Sequence, residues 1–444
     1  MTLAPPDRNH EANASFGLPA RKVCVLHPSG VGSRAQPPHE ALSLAAWARH
    51  QSQRAVRFLD ADRSELGTEA TCERLVLAAP DVIVICGQGS DWHPLRTILD
   101  AVASRLPECV RILALPGGRA QFEASDAPPV QFVLSGDAGP GLKGVLEQLD
   151  LGTRDFGHIP GLGWRTWQGE WHFTPAFHAS SDLCAAPLPA WDLLEESEQN
   201  QRASLRTARI CPPDCPTCHG AFGRTIRRRP VADVLAEARH LVERRGVKQI
   251  TIVDEVFDFE PTRAKEILRG LIALHADLEL RLPAGLRGDR IDSELARLLR
   301  HAGLRACHIA IGSATPRIQR ELGSNLDLTA LRRGIQALAH EGIRVHGRFG
   351  LGFELEDPNQ RERTVQFALN SELFSASFED HGSGHCGPLR TGWTTVRFYV
   401  HKGRLNAWRT WAKDRYTAGV KPKVASWTKQ AKAQLRRLRP ASAS

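Results

Sequence analysis

The sequence predicts an α/β protein in two parts, a doubly wound parallel sheet over residues 22–150 and an incomplete (β/α)6 barrel over residues 204–380. Three observations predict it. Short continuous apolar runs alternate with helix-like stretches, the rhythm resumes after a connector at 151–203, and 444 residues exceed one ordinary core. A composition of 42% hydrophobic and 24% charged residues is that of globular domains. No run of eighteen apolar residues occurs, and residues 1–20 show neither a basic start nor an apolar stretch of leader length. A cytoplasmic location is therefore expected.

The strands of the first part are read at Lys22–His27, Ala55–Asp60, Asp81–Cys86, Arg111–Leu115 and Gln131–Ser135. Unbroken apolar runs of this length fit strands covered on both faces, hence a flavodoxin-like sheet. Ligands of such sheets bind beyond the carboxyl ends of the strands. Those ends carry Pro28-Ser-Gly30, Gly87-Gln-Gly89 and Pro116-Gly117-Gly118, so Gly30, Gly87, Gly117 and Gly118 are candidate cofactor contacts. Tight strand-to-helix turns use the same glycines.

Residues 161–173 suggest a hairpin around Gln168-Gly169, and the proline-rich Pro187-Leu-Pro189 completes the connector. The barrel strands are read at Ser204–Ile210, Gln249–Asp254, Leu278–Leu282, Ala306–Ile311, Arg344–Leu351 and Ser375–Phe378. Between the first two, apolar residues at Val231, Val234, Leu235, Ala238, Leu241 and Val242 keep helical spacing, and Gly246 can end that helix. The working face of such a barrel is the carboxyl end of its strands.

Directly after the first barrel strand stands Cys211-Pro-Pro-Asp-Cys215-Pro-Thr-Cys218. Three thiolates at x3 and x2 spacing can hold three irons of a 4Fe-4S cluster and leave the fourth iron open. Together with His219 they could instead hold zinc. The position of the loop, at the mouth of a barrel and behind a doubly wound domain, favours iron and sulfide. Ten cysteines in a reducing compartment are thiols or ligands. Cys24, Cys86 and Cys307 fall in apolar runs and read as small buried hydrophobes.

The cysteine loop, Thr251-Ile-Val-Asp254-Glu255, Leu286-Arg287-Gly-Asp289, His301-Ala-Gly303 and Gly347-Arg-Phe-Gly350-Leu-Gly352-Phe-Glu-Leu-Glu356 together resemble radical S-adenosylmethionine (SAM) enzymes of the cobalamin-binding subclass. Ile159-Pro-Gly-Leu-Gly-Trp and Pro187-Leu-Pro-Ala-Trp-Asp are similar to the interdomain connector of that subclass, so the likeness spans about residues 20–370. The resemblance implies a cobalamin-binding domain at 22–150, a radical SAM barrel, and three cofactors: a 4Fe-4S cluster, S-adenosyl-L-methionine and cobalamin. It implies cleavage of S-adenosylmethionine to a 5′-deoxyadenosyl radical, with methyl transfer to an unidentified small-molecule or peptide substrate as the common outcome. By position, Cys211, Cys215 and Cys218 match the cluster ligands. Asp254, Glu255 and Ser313, with Gly350, Gly352 and Glu356, match S-adenosylmethionine contacts. An electron donor such as a flavodoxin or ferredoxin is implied as partner.

The chain departs from the pattern at Thr217, where an aromatic residue is usual, and at Gly312, where glutamate is usual. A catalytically degenerate cluster- or zinc-binding relative that acts through a partner is the alternative these departures suggest. The loop His381-Gly-Ser-Gly-His385-Cys386 could bind a metal or be a plain glycine-rich loop. No Asp-x-His-x-x-Gly follows the first strand, so His27 lacks an acidic partner in its own motif, and cobalamin is expected to be held without a protein ligand to cobalt, as the resemblance implies, or not at all. The net charge of +9 belongs to an extension at 381–444. From His401 onward, twelve lysines and arginines face the single acid Asp414, interleaved with Trp408, Trp411 and Trp427. That pattern suits a membrane surface, with nucleic acid the less favoured reading, or a helix docked on the protein body.

Overall fold

The computed structural model describes residues 22–29, 37–50, 54–87, 93–116, 127–166, 169–175, 186–194, 201–209, 226–274, 277–353, 356–380, 394–401 and 404–408. These gather into two compact units, Met1–Asp254 and Glu255–Ser444.

In the first unit, β1 (Lys22–His27), α1 (His39–Arg49), β2 (Ala55–Asp60), α2 (Thr68–Ala78), β3 (Val82–Cys86), α3 (Arg96–Arg105), β4 (Val110–Pro116), β5 (Phe132–Gly136) and α4 (Ala138–Leu151) alternate along the chain. The strands pair in parallel in the order β2-β1-β3-β4-β5, the doubly wound topology read from the sequence. Successive strand residues point to opposite faces, and both faces are covered. Val23, Val84, Ile112 and Leu134 meet α1 and α4 on one side, and Leu26, Ile83, Ile85 and Leu113 meet α2 and α3 on the other. The connector is more than a tether. Its hairpin, β6 (Leu162–Arg165) and β7 (Trp171–Phe173), adds antiparallel to β5 and makes a seven-stranded sheet.

The same unit continues with β8 (Arg202–Leu205), β9 (Ala208–Arg209), β10 (Arg227–Arg228), α5 (Val231–Arg245) and β11 (Gln249–Ile252). Strand β11 pairs in parallel with β8. The single strand expected at 204–210 is broken at Arg206-Thr207, and β9 turns to pair antiparallel with β10. Gly246 ends α5 in the left-handed region at φ 62°, where its N–H bonds back to the carbonyls of Leu241 and Val242.

The second unit holds α6 (Pro261–Ile272), β12 (Glu279–Arg281), α7 (Ser293–His301), β13 (Ala306–Gly312), α8 (Pro316–Glu321), α9 (Leu328–His340), β14 (Arg344–Leu351), α10 (Pro358–Asn370) and β15 (Ser375–Asp380). Strands β13, β14 and β15 are parallel neighbours. Three helices start on aspartate caps: Asp292 accepts from Leu295 N–H at 2.8 Å, Asp327 from Thr329 and Ala330, and Asp357 forms a capping box with Gln360. Residues 394–408, read from the sequence as part of the basic extension, contain β16 (Thr394–His401) and β17 (Arg404–Trp408), antiparallel additions beyond β15. The β-branched and aromatic run Thr394-Thr-Val-Arg-Phe-Tyr-Val was the signal for them. Among the described residues, no helix is long and apolar enough to cross a membrane.

Candidate functional site

Cys211, Cys215 and Cys218 lie outside the described residues, as do Thr217, His219 and the loop at 381–386, but the two ends of the cysteine segment are described. Arg209 on β9 and Arg227 on β10 are directly paired and close the base of the segment between them. Asp254 sets the kink that sends β9 there. Its Oδ1 accepts from Thr207 N–H at 2.7 Å, and its Oδ2 accepts from the Thr207 hydroxyl and from Ala208 N–H at 3.1 Å. Burial pushes the carboxyl up to about 6, opposed by those hydrogen bonds and by Arg206. Both oxygens of Asp254 are therefore engaged in bracing the strand that leads into Cys211. Glu255 follows it, half-buried, in the second unit.

A cavity of about 390 Å³ opens beside this base, lined by His39, Glu40, Trp47, Asp137, Arg206 and Arg209 among others. Its charges are matched. Glu40 pairs with Arg206 and, at 3.3 Å, with Arg209; Asp137 pairs with Arg227 at 2.8 Å; Glu237 pairs with Arg229 at 2.5 Å. Burial would raise the Glu40 carboxyl, but Arg206 and Arg209 outweigh it and hold the group down at about 2. His39 sits on Ser204 through Nδ1 at 2.9 Å. Burial, reinforced by Arg206, lowers its pKa to about 3 and keeps the ring neutral.

At the carboxyl ends of the doubly wound strands, Gly30, Gly117 and Gly118 lie outside the described residues. Gly87 is explained by packing, since a Cβ there would stand 2.7 Å from Leu115 Cδ2 and 3.2 Å from Leu95 Cδ1. His27 ends β1 beside Asp60, its partner in register. Burial lowers its pKa against the pull of Asp60 and Asp62, and its Nδ1 is buried without a hydrogen bond among the described residues. The acidic neighbours missing from its own motif thus come from β2 and the turn after it.

In the second unit, Ser313 is fully buried, its hydroxyl 3.1 Å from that of Thr364. Gly350 is a β14 residue in register with Glu379. Gly352, at φ 78°, gives its N–H to Glu356 Oε2 at 2.5 Å. Burial raises the Glu356 carboxyl, and its Oε1 is buried with no hydrogen-bond partner among the described residues. Gly352 and Glu356 are therefore brought into one turn, directly after the strand that holds Gly350. Asp258, which the motif reading passed over, accepts from the N–H groups of Arg287 and Gly288, both at 2.9 Å, and so fixes the turn before α7. Only the fold could pair residues so far apart in sequence.

One face of β13–β15 was also missed. Alternation puts His308 and Ala310 beside His346 and Arg348, and His346, Arg348 and Gly350 beside Ser375, Ser377 and Glu379, while an irregularity after Ala310 shifts Gly312 to Phe349. His346 bonds Ser375 through Nδ1 at 2.6 Å and Ser377 through Nε2 at 3.0 Å, which fixes its ring. Burial, then Arg348 and His346, lower the pKa of His308 and keep it neutral. Ala310 and Arg348 are exposed on this face although each is central in its strand.

Residues 205–368 match the radical SAM superfamily. This chain carries a radical SAM domain. A chain of that kind works with a 4Fe-4S cluster and S-adenosylmethionine, and a segment with three thiolates on a strand-closed base has the donor chemistry for three irons. The radical SAM domain and the sheet before it have known relatives. The chain is 23% identical over 352 residues to an uncharacterized methyltransferase of Pyrococcus horikoshii, covering 77% of this chain and 75% of the relative. It is 24% identical over 348 residues to the cytidylyl-2-hydroxyethylphosphonate methyltransferase of Streptomyces wedmorensis, covering 67% and 64%. Its fold matches the radical S-adenosylmethionine methyltransferase TsrM from Kitasatospora setae, solved with cobalamin and a 4Fe-4S cluster bound, with a TM-score of 0.66 at 17% identity over 81% of this chain and 72% of that one. The fold class read from the sequence, a doubly wound sheet followed by radical SAM βα units, is the one these likenesses share.

Proposed function

We propose that this protein is a radical SAM methyltransferase that uses cobalamin. The observation that carries the reading is the Cys211, Cys215 and Cys218 segment at the start of a radical SAM domain, directly preceded by a doubly wound sheet. When bound, the cluster and S-adenosylmethionine supply a 5′-deoxyadenosyl radical, and cobalamin supplies the methyl group. The protein's share is binding, orientation and exclusion of water.

Cys211, Cys215 and Cys218 would each give a thiolate to one iron. Asp254 would hold the strand that leads to them, and Glu255, Gly350, Gly352 and Glu356 would lie against S-adenosylmethionine, with Ser313 buried behind them. Glu356 Oε1, which has no hydrogen-bond partner among the described residues, supports a hydrogen-bond donor from a ligand. The ends of β1, β3, β4 and β5 would hold cobalamin. The face of His308, His346 and Arg348 would receive a polar substrate, because imidazole, guanidinium and hydroxyl groups recognise hydrogen-bonding ligands and not hydrocarbon. Electrons would come from a flavodoxin or ferredoxin.

Anaerobic reconstitution with iron and sulfide, followed by dithionite and S-adenosylmethionine, should release 5′-deoxyadenosine, and added methylcobalamin should support methyl transfer. A complete cluster that never cleaves S-adenosylmethionine would leave the degenerate relative as the reading. One equivalent of zinc without sulfide would exclude the cluster.

A further inference from the structure

Glu40 stands in the first turn of α1, and Asp137 follows β5 directly before α4, at the carboxyl edge of the doubly wound sheet. Asp137 is the N-cap residue of α4, yet its carboxylate makes no side-chain hydrogen bond to that helix. Both carboxylates point instead to the base of the cysteine segment. Glu40 holds Arg206 and Arg209, while Asp137 holds Arg227 at 2.8 Å and lies 3.9 Å from Arg209. All three arginines are buried. Desolvating guanidinium groups costs several kcal/mol each and is offset only by good pairing, so apolar side chains would have joined these elements more cheaply. What a planar guanidinium gripped by carboxylates adds is direction.

That direction has a use here. The β9–β10 ladder is only two residues long on each strand, too little by itself to fix the orientation of the segment it closes. Arg209 and Arg227 are its cross-strand pair, so Asp137 reaches both sides of the base at once. Pro116, from the end of β4, lines the same cavity as Glu40, Asp137, Arg206 and Arg209. The edge of the sheet that would take a ligand therefore shares its wall with the brace.

We infer that Glu40 and Asp137 are positioning residues for the iron-sulfur cluster, which orient the cysteine segment from the doubly wound sheet and make the cluster sense cobalamin on that sheet's edge. The inference rests on the radical SAM reading. In the reconstituted full-length protein, hydroxocobalamin should shift the electron paramagnetic resonance g-values of the dithionite-reduced cluster. Asp137→Asn and Glu40→Gln should keep the wild-type iron and sulfide content, displace the g-values, lose the response to hydroxocobalamin, and slow 5′-deoxyadenosine release by about tenfold to a hundredfold. Asp137→Glu should restore the response. If Asp137→Asn does not accumulate as folded protein, Arg227→Lys, which keeps the charge and removes the fork, takes its place with the same expected spectrum. Variants with the g-values and cobalamin response of the wild type would overturn the inference and leave the proposed function standing. A wild-type chain that assembles no cluster would overturn both.

Discussion

The doubly wound sheet and the β13–β15 sheet are both parallel and helix-covered, yet they treat their strands differently. Every residue of β3 is buried, whereas β13 alternates between buried and open positions. A sheet covered on both faces can place a ligand only at its strand ends. A sheet covered on one face keeps the other for side chains that meet a ligand, which is where His308, His346 and Arg348 stand. Stability and chemistry are thus separable along β13–β15 and confined to different strand positions in the doubly wound sheet.

The contrast can be broken by substitution. Ile83→Ala removes a fully buried side chain from β3 and should cost about 3–4 kcal/mol in urea unfolding, against under about 0.5 kcal/mol for Ala310→Ser on the open face of β13. Equal losses would show that the open face is covered after all. Acid should act chiefly on the first unit. Unfolded, His39 takes a proton near pH 6.5, but the folded ring resists down to about 3. The unfolded chain binds more protons in that window, so stability falls as the pH drops, by about 3 kcal/mol between pH 7 and pH 4 from this group. Glu40, held down at about 2, adds to the loss below pH 4.5. His39→Gln should flatten the upper part of that curve in pH-dependent denaturation.

Gly303→Ala should cost about 2 kcal/mol, measured the same way. At φ 99°, a Cβ would stand 1.9 Å from the Leu278 carbonyl oxygen. The smallest of the stability losses above 0.5 kcal/mol should be that of Asp357→Ala, about 1 kcal/mol for a lost cap, with no change in the spectrum of a reconstituted cluster.

What the sequence revealed follows the same division. Strands β1, β3, β4 and β5 were legible because double-sided burial writes an apolar run, and Gly246 was legible because a left-handed terminus selects glycine. The aspartate caps lie within three residues of the groups they bind, so they too leave a local mark. The brace of Glu40 and Asp137 on Arg206, Arg209 and Arg227 joins three distant segments, and no local pattern encodes it. Asp254 matches an S-adenosylmethionine contact only through the family resemblance. The structure shows its oxygens already taken by Thr207 and Ala208. The three cysteines stand out by their spacing, which leaves zinc open beside iron and sulfide, and they lie outside the described residues.

The β6–β7 hairpin bears on how the doubly wound sheet can be handled in isolation. A fragment cut near residue 150 would lack the strands that pair with Phe132–Gly136 and would bare the outer backbone of β5. An apolar strand with open N–H and C=O groups is a template for joining another chain edge to edge. Such a fragment should associate at concentrations where one ending after residue 175 stays monomeric.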